Sequence, residues 1–212
     1  MPLIRKTAEP KIAPEENPAL AGILETGSVE ERWAAARAAA DAPSGARILG
    51  EALLREKDMR VREAIFTSLV RIGSEACLDA IVPHLRSDDP NLRTGALDAL
   101  RAMPKAVTPR VRLLLQDPDP DVRLLACDLA RAMPSTDANA VLCELLDSEQ
   151  SANVCGVAVD VLAETAVQEC LPALARCAAR FPHDPFLVFS IKIARERIAS
   201  QTEARRAGDL SP

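Results

Sequence analysis

The chain has 212 residues, of which 48% are hydrophobic and only 2% are aromatic, and its formal net charge is −5 at pH 7. This acidic balance argues against a sequence-independent nucleic-acid binder, which needs a basic footprint for its phosphate contacts. No apolar run is long enough to span a membrane, and residues 1–6 lack the apolar segment of a secretory signal. We therefore expect a cytoplasmic protein without a membrane partner, and the Ala- and Leu-rich composition favours helices over strands.

The N-terminal stretch divides into a leader and a first pair of helices. Residues 1–16 contain three prolines among mixed charges and have no periodic apolar face, so we expect a flexible leader. A short helix is predicted from Pro18 to about Glu25. A second helix begins after Ser28, where Ser28 and Glu31 have the spacing of a capping box. We expect one repeat domain over 17–199 and a flexible tail over 200–212.

A short phrase, Asp-x-x-apolar-Arg, recurs along the chain at 58–62, 89–93 and 119–123. Its aspartates are Asp58, Asp89 and Asp119, and its arginines are Arg62, Arg93 and Arg123. The arginines are 31 and then 30 residues apart, and a fixed period in this range indicates stacked supersecondary units. Each aspartate is predicted to cap a helix, with Pro90 and Pro120 at the first helical position.

Together with the apolar segment that precedes it at 80–88, the phrase resembles the short HEAT-like repeat of the phycobilisome lyase type. That repeat consists of an apolar helix, an Asp-rich turn and a Val-Arg pair that opens a second helix. The resemblance implies an all-α fold, an α-solenoid with a right-handed superhelix of about six two-helix repeats. It also implies a structural ladder in which the arginines bond aspartates of their own or a neighbouring repeat.

The other repeats are predicted from the same pattern. The helix pairs are 44–56 with 59–72, 74–86 with 90–102, 105–116 with 120–132, 135–147 with 152–164, and 167–180 with 185–199. Cys155 and Val188 occupy the arginine position of the last two pairs, so the ladder is expected to stop after Arg123. Pro83 lies within a predicted first helix, where it either starts or kinks that helix.

Candidate catalytic residues are scarce. His84 and His183 are the only histidines: His84 has no carboxylate at ligand spacing, and His183 lies in a Phe-Pro-His-Asp turn, where we expect it to shield a helix start. There is no Gly-rich phosphate loop, no nucleophile elbow and no His-Glu pair like that of the HEAT-repeat di-iron hydroxylases. We therefore expect no enzyme activity, no metal and no cofactor.

The cysteines show no CxxC spacing. They are Cys77, Cys127, Cys143, Cys155, Cys170 and Cys177. We interpret them as reduced, buried core residues. The alternative is that Cys170 and Cys177, seven residues apart, share one helix face.

Three phenylalanines cluster near the C-terminus, at Phe181, Phe186 and Phe189. They either seal the open end of the core or form a docking patch.

The helical phase separates a core stripe from an exposed face in the second helix of each pair. The stripe consists of Ile65, Leu69, Ile72, Ala96, Leu100, Met103, Ala126, Met133 and Leu162. The opposite face carries Trp33, Arg37, Glu63, Thr67, Val70, Thr94, Asp98, Arg101, Leu124, Asp128, Arg131 and Asp160. The resemblance implies that second helices line the concave side of the solenoid.

Trp33 and Leu124 on this exposed face favour a binding surface, because Trp and Arg dominate interface hot spots. A solvated face with weak ion pairs is the alternative. We expect a non-catalytic scaffold that binds a protein partner of unidentified sequence through its second helices. The resemblance leaves two alternatives, an accessory lyase-like protein acting on a bilin or a HEAT-like DNA-binding or repair protein.

Overall fold

The structure is a computed structural model that describes residues 18–165 and 167–208, with side chains as far as residue 200. The predicted all-α class of helical repeats is confirmed, because these residues form twelve α-helices and three short 3-10 segments and no strand. The predicted leader over 1–16 lies outside the described residues. The chain divides into two compact units after Ile72, which we call the N-terminal unit and the C-terminal unit. The expectation of one domain over 17–199 stays a prediction.

The N-terminal unit consists of two helical hairpins. Its helices are α1 (Pro18–Thr26), α2 (Val29–Ala39), α3 (Gly45–Leu53) and α4 (Met59–Ile72). Ser28 and Glu31 form the predicted capping box, in which the Ser28 amide donates to Glu31 Oε2 at 2.8 Å. The second helices α2 and α4 pack against each other, and Leu49, Ile65 and Leu69 are fully buried between the layers.

The C-terminal unit repeats this hairpin four times. Its α-helices are α5 (Glu75–Ile81), α6 (Pro90–Arg101), α7 (Pro104–Leu114), α8 (Pro120–Leu129), α9 (Ser135–Ser148), α10 (Ala152–Thr165), α11 (Leu171–Arg180) and α12 (Pro185–Gly208). The 3-10 segments are Val82–Arg86, Ala130–Ala132 and Gln168–Cys170. The second helices pack in series, α8 against α6 and α10, and α10 against α12.

Several helix boundaries differ from the predicted ones, among them the ends of α3 and α8 and the start of α11, and two differences have a clear physical reason. Helix α5 ends at Ile81 and continues as a 3-10 segment that contains Pro83, because proline has no N–H to donate to the carbonyl four residues earlier. The last helix runs to Gly208 rather than ending at 199. Its final turns are rich in Ala, Arg, Glu and Gln, which have high helix propensity and need no apolar face to continue a helix.

The predicted core stripe is confirmed for most of its residues. Ile72 and Met133 are half-buried. The others are buried, namely Ile65, Leu69, Ala96, Leu100, Met103, Ala126 and Leu162. The helical phase counted from the apolar residue before each arginine therefore locates the buried side of the second helices.

The interpretation that the phenylalanines seal the core is wrong for Phe186 and Phe189, whose exposed fractions are 84% and 62%. The buried side of α12 is formed by Leu187, Ile191, Ala194 and Ile198, which follow helical spacing. Phe186 and Phe189 share a different face of this helix. Phe181 is half-buried, and the Arg180 guanidinium lies 5.3 Å from its ring centroid.

Candidate partner-binding surface

The predicted capping aspartates accept backbone N–H groups of the first helical turn. Asp58 Oδ1 accepts from the amide of Arg60 at 2.9 Å, and Asp119 Oδ1 accepts from Asp121 at 2.9 Å. Asp89 Oδ1 likewise accepts from Asn91 at 2.9 Å. These bonds satisfy amides that have no partner within the helix, and they fix where each second helix begins.

The arginines of the phrase bond to loop carbonyls that lie six residues earlier, two residues before the capping aspartate. The pairs are Arg62 Nε with Glu56 O at 2.7 Å, Arg93 Nη1 with Ser87 O at 2.6 Å, and Arg123 Nη1 with Asp117 O at 2.8 Å. In the C-terminal unit, Arg123 also donates to Pro118 O at 3.1 Å and to the Glu149 carboxylate. Each arginine therefore closes the loop before its own helix, and a ladder of Asp–Arg pairs stays a prediction.

Two buried glutamates, neither of them predicted from the sequence, complete this loop structure. Glu56 accepts from Arg32 Nε at 2.8 Å, and Glu149 accepts from Arg123 Nε at 2.7 Å. Their side chains are only 5% and 3% exposed. Both glutamates stand two residues before a helix cap, which is the signal that could have found them.

The electrostatic environment keeps these glutamates ionised. Burial opposes ionisation of Glu149, but hydrogen bonds from Arg123 and from the amides of Gln150 and Ser151 outweigh it, so the Glu149 pKa is lowered. The same balance lowers the pKa of Glu56. The bond to Glu149 in turn raises the pKa of Arg123. Each pair is thus a structural element and not an acid–base site.

Cys155 breaks the arginine pattern, and a different helix supplies the missing guanidinium. The Cys155 sulfur lies 4.0 Å from Glu149 O, the carbonyl that an arginine would reach from this position. Arg180 of α11 donates to the same carbonyl through Nε at 3.0 Å and to Asp147 O at 3.2 Å. The loop before α10 is therefore closed by an arginine from the following helix pair.

In the N-terminal unit, the exposed sides of α2 and α4 form a cleft of about 430 Å³, here called the Trp33 cleft. It is lined by Trp33, Arg37, Arg60, Glu63, Ala64, Thr67, Ser68 and Arg71. The structure thus brings the predicted residues Trp33, Arg37, Glu63 and Thr67 together. The Arg37 guanidinium carbon lies 4.8 Å from the Trp33 ring centroid, which is a cation–π contact.

Positive charge exceeds negative charge among the residues that line the Trp33 cleft, with three arginines against Glu63. Arg60 lies 3.7 Å from Glu30, and Arg71 lies 2.9 Å from Asp41, both in exposed ion pairs that hold the charges weakly. In the described part of the chain, no carboxylate lies within ion-pair distance of Arg37. The Arg37 charge is therefore available to a ligand.

The predicted residues of the C-terminal unit form a different kind of surface, here called the charged row. It is a continuous series of ion pairs on α6, on α8 and the 3-10 segment that follows it, and on α10, and it runs through Asp98, Arg101, Asp128, Arg131 and Glu164. Arg101 donates to Asp98 at 2.8 Å and through Nε to Asp128 at 2.7 Å. The hydrogen bond to Glu164, a residue not predicted from the sequence, raises the pKa of Arg131.

The remaining predicted residues lie near this row without joining it. Thr94 and Asp160 are exposed, and Leu124 is half-buried. Because the charges of the row compensate one another, a ligand that used them would first have to separate existing pairs.

The described residues contain no group of three or more His, Cys, Asp or Glu side chains that could hold a metal ion. His84 is buried and His183 is exposed. None of the described helices combines the length and the apolar character needed to cross a membrane.

The helical hairpins and their shared loop geometry define an α-helical repeat protein. The family model described as HEAT repeats matches residues 16–101, so the predicted resemblance to HEAT-like repeats is confirmed for this part of the chain. A search of curated proteins finds no match to the chain.

Several solved structures have a similar arrangement of helices. An engineered protein is 22% identical at a TM-score of 0.46, covering 86% of this chain and 98% of the other. A designed armadillo repeat protein in complex with the peptide (KR)4 is 19% identical at a TM-score of 0.43, with coverages of 87% and 100%. The complex of CpcE and CpcF of phycocyanin lyase from Nostoc sp. PCC7120 is 13% identical at a TM-score of 0.37, with coverages of 92% and 100%. At such scores none of them supports a conclusion about function.

Proposed function

We propose that this HEAT-repeat chain binds an acidic segment of a protein partner, and that the Trp33 cleft is the principal contact. The observation that supports the proposal is the stacked pair of Trp33 and Arg37, exposed in a cleft whose lining is rich in arginine. The partner's contribution is a carboxylate next to an apolar side chain.

The physical argument begins with Arg37. Stacking on the indole restricts the guanidinium while leaving its N–H groups free, and a planar guanidinium binds a carboxylate through two parallel hydrogen bonds. Because less side-chain freedom is lost on binding, a pre-oriented arginine gives more affinity than a mobile one.

Trp33 supplies the second part of the contact. It is half-buried, so part of its ring remains available to an apolar side chain of the partner. Trp and Arg are the residues most enriched at interface hot spots, and here they are adjacent. Arg60 and Arg71 at the rim pair with Glu30 and Asp41 in exposed, weak ion pairs, so a carboxylate of the partner can replace these pairs at little cost in free energy.

The charged row takes a secondary part in this proposal. Its charged side chains already pair with one another, so they add little to the affinity for a partner and serve mainly as complementary polar contacts. These residues are Asp98, Arg101, Asp128 and Arg131. Thr94, Leu124 and Asp160 are proposed as neutral or peripheral contacts.

The proposal is tested by selecting binders from a random peptide library displayed on phage, with the full chain as bait. We expect enriched peptides to carry Asp or Glu beside an apolar residue, and we expect Arg37→Glu to abolish their enrichment. Arg55→Glu is the matched control, because Arg55 is an exposed arginine of the same unit outside the cleft. Enriched peptides without excess acidic residues, or enrichment that survives Arg37→Glu, would contradict the proposal.

The two alternatives give different results in solution. A DNA-binding protein would bind an oligonucleotide with an affinity that falls steeply with salt concentration. A lyase-like protein would change the visible absorbance of added bilin. Either result, if it were lost in Arg37→Glu and kept in Arg55→Glu, would assign the cleft to that ligand instead.

A further inference from the structure

The last second helix, α12, carries an apolar strip on its outer side. Phe186 and Phe189 are exposed, and Ile193 is half-buried. Their spacing of three and then four residues places them on one side of the helix, away from the buried Leu187 and Ile191. Helix α12 packs on α10 and α11, and it is the last described helix of the chain. Within the described residues, the two rings of the strip therefore have no covering element.

The strip lies where the earlier second helices of this unit carry charges. Counted from the buried apolar residue near the start of each second helix, Ile193 has the same repeat position as Asp98, Asp128 and Asp160. The charged row ends on α10 at Glu164, and apolar side chains replace it on α12. A contiguous apolar patch on a surface that is otherwise charged marks a site of interaction.

Opposite charges border the strip on its two sides. Asp160 belongs to α10, the helix that packs beside α12, and in the described part of the chain it has no lysine or arginine within ion-pair distance. Lys192 and Arg195 lie on the other side of the strip, where both are exposed. Lys192 is 3.9 Å from Glu196 in an exposed pair that holds it weakly. A surface that is apolar in its middle, negative on one side and positive on the other is complementary to itself.

We propose that this chain forms a two-fold symmetric homodimer through α12, in which Phe186, Phe189 and Ile193 of the two copies pack together. Lys192 of each copy then pairs with Asp160 of the other. The observations that carry the proposal are the uncovered apolar strip and the opposite charges on its two sides. The proposal does not depend on the Trp33 cleft, which belongs to the N-terminal unit.

The charges determine the direction of the symmetry axis. A two-fold axis parallel to α12 exchanges the two sides of the strip, so the negative side of one copy meets the positive side of the other. An axis perpendicular to α12 in the plane of the contact would instead place the two Asp160 side chains together, where they repel each other.

The surface of α10 leaves room for this contact. Gly156 stands one helical turn before Asp160, and a Cβ atom added to Gly156 would meet no atom within 4 Å. The long, flexible side chain of a lysine can therefore lie across Gly156 and reach the Asp160 carboxylate.

The size of the strip predicts a dimer of modest affinity. The two rings together expose roughly 300 Å², whereas a stable interface buries about 800 Å² on each partner. The flanking charges and the outer side of α10 must supply the remaining area, so the dimer fraction should rise with protein concentration. Because a two-fold contact uses the same strip on both copies, association should stop at two copies.

Sedimentation velocity of the full chain over a range of concentrations tests the proposal. We expect an equilibrium between monomer and dimer, and we expect the double variant Phe186→Ser, Phe189→Ser to raise the dissociation constant about tenfold or more. Leu113→Ser is the matched control, because Leu113 is a 65% exposed apolar residue on α7 of the same unit. It should leave the dissociation constant unchanged.

Charge reversal tests the pairing of the two copies. Asp160→Lys and Lys192→Glu should each weaken association, because each variant brings like charges together twice in a symmetric dimer. An equimolar mixture of these two variants should recover the dimer, because both contacts of a mixed dimer then join opposite charges. If the double serine variant fails to fold, as judged by its melting curve, this mixture still decides the matter.

Three results would overturn the proposal. A chain that is monomeric at every concentration would assign the strip to a different protein partner. A double serine variant that associates as tightly as the unmodified chain would place the contact elsewhere. A mixture of the two charge variants that associates no better than either variant alone would contradict the pairing of Lys192 with Asp160.

Discussion

Arg123 of α8 and Glu149, in the loop before α10, form a two-pronged ion pair, with Nε 2.7 Å from Oε2 and Nη2 2.8 Å from Oε1. Arg32 and Glu56 repeat this geometry in the N-terminal unit at 2.8 and 3.1 Å. In both pairs the glutamate also accepts the amides of the two residues that follow it. In each case a buried carboxylate therefore links the second helix of one helix pair to the loop that precedes the second helix of the next pair.

This arrangement predicts how stability depends on pH. The pKa of Glu149 is lowered in the folded chain, so its contribution to the unfolding free energy is complete above the unfolded pKa of about 4.3 and is lost as pH falls through the folded value. Glu149→Gln should lower the unfolding free energy near pH 7 by about 1–3 kcal/mol. It should also flatten the loss of stability below about pH 5.

Denaturant unfolding at a series of pH values measures both effects. Glu144→Gln is the matched control, because Glu144 pairs with Arg112 on the exposed surface. Parallel pH profiles for Glu149→Gln and the unmodified chain would show that the buried pair does not control acid unfolding.

Arg93→Ala should lower the unfolding free energy by about 1–3 kcal/mol, because the Ser87 carbonyl loses a charge-assisted hydrogen bond in a half-buried loop. Arg112→Ala, which breaks only an exposed pair, should change it by less than about 0.5 kcal/mol. Thermal melting compares the two. A melting temperature for Arg93→Ala within about one degree of the unmodified chain would contradict a structural role for the arginine.

The expectation that all six thiols are buried is wrong for Cys143, which is half-exposed at the cleft it shares with Cys170. We predict that a maleimide labels Cys143 first in the folded chain. The fully buried Cys77, Cys127, Cys155 and Cys177 should stay unlabelled until denaturant is added. Peptide mapping at early times provides the measurement, and prompt labelling of Cys127 or Cys177 would refute the assignment.

Replacing the two exposed phenylalanines should leave the stability of the fold unchanged. The double variant Phe186→Ser, Phe189→Ser should melt as the unmodified chain does, because neither ring lies in the core. Leu187→Ala, between them on α12 and only 4% exposed, should lower the unfolding free energy by about 2–4 kcal/mol. Equal destabilisation by both variants would mean that the rings pack against the core.

The sequence predicted those features that depend on short-range patterns. The capping aspartates and the core phase of α4, α6 and α8 depend on residues within a few positions of one another, and both are as expected. The roles of Glu56, Glu149 and Glu164 were missed, because the partner of each is 24 to 33 residues away and periodicity does not identify it. The role of Arg180 was missed because it replaces an expected arginine from a different helix.

The Trp33 cleft was predicted only in part. Helical phase assigned Trp33, Arg37, Glu63 and Thr67 to one exposed face, and the structure brings them together. Arg60 and Arg71 were not predicted, because helical phase places them beside the exposed face of α4 and not on it. The excess of positive charge at the cleft, in a chain with a net charge of −5, is apparent only from their positions.

The affinity of one acidic peptide for three forms of the chain tests the central claim most directly. A fluorescently labelled peptide from the selection would be titrated with the unmodified chain, Arg37→Glu and Arg55→Glu, with fluorescence anisotropy as the readout. We predict a loss of affinity of about tenfold or more in Arg37→Glu, unchanged affinity in Arg55→Glu and unchanged melting in both. Equal affinities for all three forms would contradict the assignment of the Trp33 cleft as the partner-binding site.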